Sequence, residues 1–530
     1  METKYIFVTG GVLSGIGKGT TVASLGRLLK SMGLKVASQK LDPYMNVAPN
    51  RMDPCQHGEV FVTDDGAEAD LDLGHYERFM DVNLTKFSNI TAGRIYFNVL
   101  TKEMNGGYGG QTVQIIPHVT DAIKDFIYQG AKSTGAEVLI TEIGGTAGDI
   151  ESQPFFEAIR QIWLDKGNEN CLFMHVSLIP YLKSSEEHKS KPTQHSVKDL
   201  QSMGISPDII IARADEPLEE DVLRKLSLFC NVQKDSVIQN TTLSCLYEIP
   251  LMLHKYGLDK VVCRELQIKA KECDLSDWEK MVDKMKSLKN SVNIALVGKY
   301  TALHDAYLSV IEALNHAGVA NDVKINIKWV DSETLNEKNL KSVLGDAAGI
   351  IVPGGFDGKG VEGMILACKY ARENNVPCFG IGLGLQVAAI EFARNVCGLK
   401  DANSSEFDYK TKNPVVDLIE NKDSKDFMRL GARNCILDKN SLAQKLYKQN
   451  EVSERHRHRF KLNLNYKDIL EKNGLKISAI CEEDKIAEIV ENQNCEFFVA
   501  VQYHPEFKSR PNRAHPLFDG FVKAAKKRSK

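Results

Sequence analysis

Nothing in the chain approaches the roughly 20 consecutive apolar residues that a membrane span needs, and its opening has no signal-peptide pattern. An excess of one charge is missing as well. Sixty-seven basic residues face 70 acidic ones, a formal net charge of −3, which argues against attachment to nucleic acid or to a membrane surface. Cations that cluster locally must therefore answer local anions. The 12 cysteines are scattered with no C-x-x-C pair, so neither a zinc site nor a disulfide framework is expected. Cys171, Cys230 and Cys368 stand in apolar surroundings and read as small core hydrophobes. No internal repeat is present. At 530 residues the chain is too long for one core. These absences leave a soluble, cytoplasmic protein of two or more domains as the expectation.

What is present begins at once. Tyr5-Ile-Phe-Val-Thr-Gly-Gly-Val-Leu-Ser-Gly-Ile-Gly-Lys-Gly-Thr20 is an apolar strand running into a glycine-rich turn and then a helix. Such a turn can aim backbone N–H groups at an anion, Lys18 adds a point charge, and the following helix contributes its positive end. The spacing is not that of a regular P-loop, because Val12 and Gly19 stand where a glycine and a hydroxyl belong. A plain strand-to-helix turn is the bland alternative. Against it, a second short strand, residues 35–40, delivers a second cation, Lys40, to a second strand end, where ligands collect in open α/β sheets.

Strands alternate with helical patterns through the first half, the signature of a parallel sheet covered on both faces. Continuous apolar runs at 6–8, 137–142, 172–178 and 208–213 mark buried strands. Around 274–290 the pattern becomes one charged amphipathic helix, and a second strand series follows at 293–298, 325–330, 349–353, 377–381 and 497–502. The expected fold class is α/β, with two doubly wound domains. The boundaries read as 1–273 for the first domain, 274–291 for a linker helix and 292–530 for the second.

In the first domain Asp70 and Asp72 alternate with apolar residues and on a strand would share one face. Glu142 ends a strand and precedes the glycine turn that carries Asp149 and Glu151. Mg²⁺ brought by a nucleoside triphosphate prefers one or two carboxylates, a task that suits Asp72 and Glu142. Residues 189–196, Lys-Ser-Lys-Pro-Thr-Gln-His-Ser, form a cation-rich, proline-broken loop suited to a second polyphosphate. For any single acid the plain reading is a surface charge or a helix cap. Together with the cradle they suggest that one nucleotide phosphorylates another substrate.

The second domain carries different chemistry. Residues 349–356 end a strand in a glycine pair able to present an oxyanion hole. Residues 377–386 have the strand, sharp turn and helix of a nucleophile elbow, and His504 with Glu506 can serve as a base and its orienting acid. Yet the central residue of the elbow is Gly382, which has no nucleophile.

Over essentially its whole length the chain resembles the CTP synthase family. The motifs are Lys40-Leu-Asp-Pro-Tyr, His57-Gly-Glu-Val-Phe-Val, Asp70-Leu-Asp-Leu-Gly-His-Tyr-Glu-Arg-Phe, Thr112-Val-Gln-Ile-Ile-Pro-His, Lys191-Pro-Thr-Gln-His-Ser, Glu454-Arg-His-Arg-His-Arg-Phe and His504-Pro-Glu. The resemblance implies a P-loop-like amidoligase domain fused to a class I, flavodoxin-like glutaminase domain. ATP would phosphorylate O4 of UTP, glutamine would supply ammonia, and ammonia would displace the phosphate at C4 to give CTP. By the same resemblance Ser14, Gly15, Ile16, Gly17, Lys18, Gly19, Thr20 and Arg213 would bind ATP, with Lys18 and Lys40 catalytic. Ser14, Asp149, Ile150, Glu151, Lys189, Lys191, Gln194, Lys225 and Phe229 would bind UTP or the inhibitor CTP, and Asp72 and Glu142 would bind Mg²⁺. Gly354, Phe356, Leu383, Gln386, Glu406 and Arg459 would hold glutamine beside His504, Glu506 and position 382. GTP would activate, and the assembly would be a homotetramer, a dimer of dimers able to form filaments.

Departures accompany the resemblance. Gly382 stands where the family has its cysteine nucleophile, and Cys378 lies back in the strand. The loss is either natural or introduced, and the intact remainder of the glutamine site favours an introduced change. Met104-Asn105 replaces a usual basic pair, and Thr241-Thr242 a usual acidic residue beside adenine. Two other readings compete. A cobyrinic-acid-type amidase-ligase is opposed by the loop at 189–196, and a regulatory nucleotide-binding or filament protein by the Lys18, Asp72 and Glu142 set.

Overall fold

The computed structural model describes residues 2–49, 52–420 and 427–529. Two compact units emerge: Met1–Arg51 with Ala69–Lys286, and Met52–Glu68 with Ser287–Lys530.

The first unit is built on β1 (Lys4–Gly11), β2 (Val36–Asp42), β3 (Asn89–Thr91), β4 (Val138–Ile143), β5 (Cys171–Leu178), β6 (Ile209–Ala214) and β7 (Val237–Thr241). They lie in the order β7-β6-β5-β1-β4-β2-β3, every pair parallel. Helices cover both faces, which is why the strands read as apolar runs rather than alternations. The chain leaves β1 through the glycine turn into α1 (Lys18–Ser31), whose Val22, Leu25, Leu28 and Leu29 are fully buried.

Two local expectations are corrected here. Asp70 and Asp72 do not share a strand, because Asp72 opens α2 (Asp72–Met80) and the Asp70 carboxylate accepts the Asp72 N–H at 2.9 Å. Aspartate favours helix starts, and Leu73, Tyr76 and Met80 follow at helical spacing, all fully buried. Nor is the stretch from Lys191 a loop. It starts α3 (Lys191–Ser202), since a proline in a first helical turn removes an N–H that has no partner there.

The amphipathic helix α4 (Ser276–Ser287) is more than a linker. Trp278 lies 5.7 Å from Phe79 and 5.8 Å from Tyr247, donates its indole N–H to the Tyr247 carbonyl at 2.7 Å and carries the Arg27 guanidinium at 5.1 Å. Its apolar stripe is thereby covered within the first unit.

In the second unit β8 (Ser291–Gly298), β9 (Lys324–Asp331), β10 (Gly349–Val352) and β11 (Cys378–Ile381) are joined by β12 (Arg429–Leu437), β13 (Glu451–His458), β14 (Leu475–Cys481), β15 (Ile486–Asn492) and β16 (Phe498–Val501). The order is β9-β8-β10-β11-β16-β15-β14-β12-β13. β8 to β11 and β16 pair in parallel, whereas β15, β14, β12 and β13 form an antiparallel wing. That wing escaped the sequence reading because buried charged residues interrupt its apolar pattern: Arg429, Arg455 and Glu488 all point inward. The helix after β11, α5 (Leu383–Asn395), is buried over nearly all its surface, and apolar cores fill both faces of the sheet.

Residues 52–68 interrupt the continuous first domain expected at 1–273, because their partners lie in the second unit. The Glu59 carboxylate accepts the Ser309 N–H at 2.8 Å near the start of helix Leu308–Ala320, where a negative charge is favoured. Phe61 meets Phe507 edge-on at 4.9 Å, and Arg457 Nε donates to Glu68 at 2.9 Å. Among the described residues no helix is long and apolar enough to cross a membrane.

Candidate active sites

In the first unit, parallel register places Glu142 of β4 beside both Val8 of β1 and Lys40 of β2. The strand ends thus converge on the glycine turn. Gly17 takes φ 87°, and Thr21 N–H is bonded to the Gly17 carbonyl at 3.0 Å. The amides of Lys18, Gly19 and Thr20 have no earlier turn to pair with, and this makes the helix start an anion site. Lys18 is buried, and its ammonium donates to the Gly145 carbonyl at 2.8 Å, joining the two glycine turns. Burial lowers its pKa, and the neighbouring Glu142 carboxylate opposes that shift.

Lys40 is held by Asp70 at 2.8 Å, by Asp42 at 3.7 Å and, in close contact, by Asp72. Burial disfavours its charge, but these carboxylates outweigh the burial and hold the pKa well above the ordinary value. Glu142 accepts the Tyr76 hydroxyl, and burial, then the charge of Asp72, pushes its carboxyl up to about 7. A β-carbon on Gly19 would fall 2.3 Å from Asp72 Oδ1, so glycine is what admits that carboxylate to the cradle. Two hard oxygen donors that crowd one another in a buried site fit Mg²⁺.

Other predicted residues are spread more widely. Ser14 and Gly15 are exposed, Ile16 is buried, and the Thr20 hydroxyl donates to the Gly17 carbonyl at 3.0 Å. Asp149 accepts the Thr146 N–H at 3.0 Å. Exposed Ile150 and Glu151 line a cleft of about 850 Å³ with Met45, Tyr96 and Ile115. Phe229 is not part of that cleft; its ring lies 5.9 Å from the Lys191 ammonium. Lys189 pairs with Glu187, Lys225 with Asp221 at 3.2 Å, and Gln194 donates to Ser190 Oγ at 3.0 Å. Arg213, at the end of β6, donates to the Ala214 and Asn240 carbonyls and to Thr242 Oγ1.

The second site forms where β11 meets α5. Gly382 adopts φ 56°, ψ −107°, an elbow conformation that would strain a residue with a β-carbon, and its N–H donates to the Val501 carbonyl at 2.7 Å. A β-carbon there would stand 3.3 Å from His504 Nε2 and 3.6 Å from the Gly354 α-carbon. His504 Nδ1 lies 2.7 Å from Glu506 Oε1, so an imidazole and a carboxylate are assembled around an elbow with no side chain. Gly354, Phe356, Leu383, Gln386, Glu406 and Arg459 line the same pocket. The Phe356 N–H is taken by Tyr300 Oη at 3.2 Å, and Gln386 Nε2 donates to the Phe460 carbonyl at 3.3 Å. Burial raises the pKa of Glu406.

The CTP synthase N-terminus family model matches residues 4–268, and the class-I glutamine amidotransferase model matches residues 302–524. The CTP synthase of Clostridium kluyveri is 56% identical over 99% of this chain and 98% of its own length, and that of Clostridium acetobutylicum is 55% identical over 99% of each. The chain belongs to the CTP synthase family. It is therefore an α/β ligase and glutamine amidotransferase of pyrimidine biosynthesis, and the family's reaction is the amination of UTP to CTP with glutamine. A solved glutaminase domain of the Trypanosoma brucei enzyme with bound acivicin is 42% identical, covering 44% of this chain and 94% of that one, with a TM-score of 0.43.

Some residues of this CTP synthase family site gave no sequence signal. Pro54 lines the pocket around Gly382 although it lies 246 positions before Tyr300, whereas Glu59 and Val60, which line it too, sit within the His57-Gly-Glu-Val-Phe-Val motif. Lys299 donates to the Phe356 carbonyl at 2.8 Å, and Arg457 lies over the Phe356 ring at 4.6 Å, so both brace the glycine turn. Arg457 sits within the Glu454-to-Phe460 motif and was open to detection; Lys299 and Tyr300 follow a strand with nothing to mark them.

Proposed function

We propose that this chain makes CTP from UTP, ATP and free ammonia, and that its glutaminase half is catalytically silent because Gly382 occupies the position of the family's cysteine nucleophile. The observation that carries the reading is the bare elbow facing an assembled pair, with 3.3 Å from a Gly382 β-carbon to His504 Nε2.

In the first unit the amides at the start of α1 and the ammonium of Lys18 hold the ATP phosphates. Lys18 and Lys40 stabilise charge on the phosphoryl group as it passes to O4 of UTP. Lys189, Lys191, Gln194 and Lys225 take the UTP triphosphate. Glu151 and Phe229 border the base of the competing product CTP, Arg213 lies by adenine, and Asp72 and Glu142 hold Mg²⁺. When bound, that ion supplies charge neutralisation between phosphates. Ammonia then adds at C4, a proton leaves the nitrogen, and the C4–O bond breaks to release phosphate. Domain limits of 1–273, 274–291 and 292–530 describe the division of labour rather than the packing. Activation by GTP, feedback by CTP, a homotetramer and a cytoplasmic setting belong to the same reading.

CTP formation measured with ammonium chloride at high pH, and separately with glutamine, tests it in the parent and in Gly382→Cys. Ammonia alone should serve the parent, and both sources the variant. Glutamine-dependent turnover in the parent would overturn the assignment of the elbow.

A further inference from the structure

A second concentration of donor atoms lies in the first unit, toward the C-terminal end of α1. His254 ends one short helix (Ile249–Lys255), Gly257 turns the chain with φ 82°, and Asp259 lies in the first turn of the next helix (Leu258–Glu265). His254 Nδ1 is thereby brought 3.1 Å from Asp259 Oδ2. Cys273 reaches the pair from the segment that precedes α4, its Sγ 3.5 Å from the Leu28 carbonyl. One ligand atom from each of the three residues lies within 4.8 Å of the other two.

An independent observation singles out this group. Asp259 is only 2% exposed, yet its Oδ1 has no hydrogen-bond partner among the described residues. A buried carboxylate oxygen without a donor is costly, and a cation between imidazole, carboxylate and thiol would satisfy it. Another group of the same composition behaves differently. Cys435, His456 and Glu488 also lie within reach of one another, but Arg429 donates to Glu488 Oε1 at 2.7 Å and His456 meets Oε2 at 2.8 Å. There a guanidinium already serves as resident cation. Among the described residues no arginine does so at Asp259. Burial, then the charge of Asp259, pushes the Cys273 thiol up to about 11 against the opposing charge of Arg27, so an ion bound there must displace the thiol proton.

We propose that His254, Asp259 and Cys273 bind one divalent cation of the zinc class, which ties the segment before α4 to the helices of the first unit. Nitrogen, oxygen and sulfur donors together suit a borderline-soft ion rather than Mg²⁺ or Ca²⁺. A carboxylate and a thiolate carry two negative charges, which balance the ion. The His254 side chain is 35% exposed, leaving a route in and a fourth position for water. No sequence motif announces the site, because its spacing is created by a helix–turn–helix and a returning segment.

The test uses the full chain, stripped with chelator and free of nucleotide, titrated with Co²⁺ and then Zn²⁺. One equivalent of Co²⁺ should bind with a sulfur-to-cobalt charge-transfer band, and Zn²⁺ should displace it. Cys273→Ser should abolish the band and weaken metal binding at least about tenfold, and Cys55→Ser should leave both unchanged. His254→Ala should also weaken binding while circular dichroism reports an unchanged fold. No band in the parent, a band that survives Cys273→Ser, or one lost in Cys55→Ser would each overturn the proposal.

Discussion

Arg455 Nε donates to Asp64 Oδ1 across 2.6 Å, joining residues that are 391 positions apart. The guanidinium is fully buried and also donates to the Val62 carbonyl at 3.1 Å. The Arg455 carbonyl in turn accepts the backbone N–H of His504 at 2.8 Å. Phe61 adds a second route, edge-on to Phe507 at 4.9 Å, whose ring stacks on His504 at 5.4 Å. His504, the general base in the proposed function, is therefore braced by residues 61–64.

Asp64→Ala should lower the stability of the second unit by about 1–3 kcal/mol, because it removes a hydrogen-bonded counter-charge from a buried guanidinium. Urea unfolding of the full chain, followed by a probe in the second unit, would read the change. An unchanged midpoint would show that the pair contributes nothing net.

Lys18→Ala should reduce ammonia-dependent CTP formation by roughly a hundredfold or more, the usual cost of one preorganised charge at a transferring group. Circular dichroism should stay the same. Near-normal turnover would remove Lys18 from the chemistry.

Gly382→Ala separates the sulfur from the mere presence of a side chain. At φ 56° an alanine is strained by about 1–2 kcal/mol. The variant should remain unable to use glutamine, whereas Gly382→Cys should gain on the order of a million-fold in glutamine hydrolysis. Activity in the alanine variant would point to a nucleophile elsewhere.

His175 is fully buried between Thr9 Oγ1 at 2.9 Å and Ser196 Oγ at 3.0 Å. Burial, then the charge of Lys18, lowers its pKa to about 3 from the ordinary 6.5. Below pH 6.5 the unfolded chain binds a proton that the folded chain refuses. The stability His175 contributes is thus fully present above pH 6.5 and lost progressively as pH falls toward 3. Glu142, pushed up to about 7, acts with the opposite sign, so the slopes of two proteins must be compared. Between pH 7 and 5 the Tm of His175→Gln should fall less steeply than that of the parent. Parallel slopes would show that His175 does not titrate this way.

Much of this was legible in the residues themselves. The apolar runs of β1, β4 and β5 announce strands buried on both faces, and the glycine turns at 10–19 and 382 announce close backbone approach. What remained hidden depends on distance and on charge. The sequence places Lys40 and Glu142 at strand ends, but only the register of β2 against β4 makes them neighbours. The wing strand β13 carries buried Arg455 and His456 on opposite faces, so neither face reads as apolar although both residues are packed. Asp72 looks like a strand residue until the Asp70 carboxylate is seen accepting its N–H. Cys273 looks inert until folding sets it beside His254 and Asp259.

The placement of residues 52–68 bears on how the protein is made. This segment leaves the ribosome long before the strands it braces, and its partners Arg455, Arg457 and Phe507 are among the last residues to follow. Until they emerge, Phe61, Asp64 and Glu68 wait for those three side chains. A gene cut at the boundary near residue 286 would give a C-terminal product lacking Phe61, Asp64 and Glu68, so one break in the chain does not divide it into the two units as they pack.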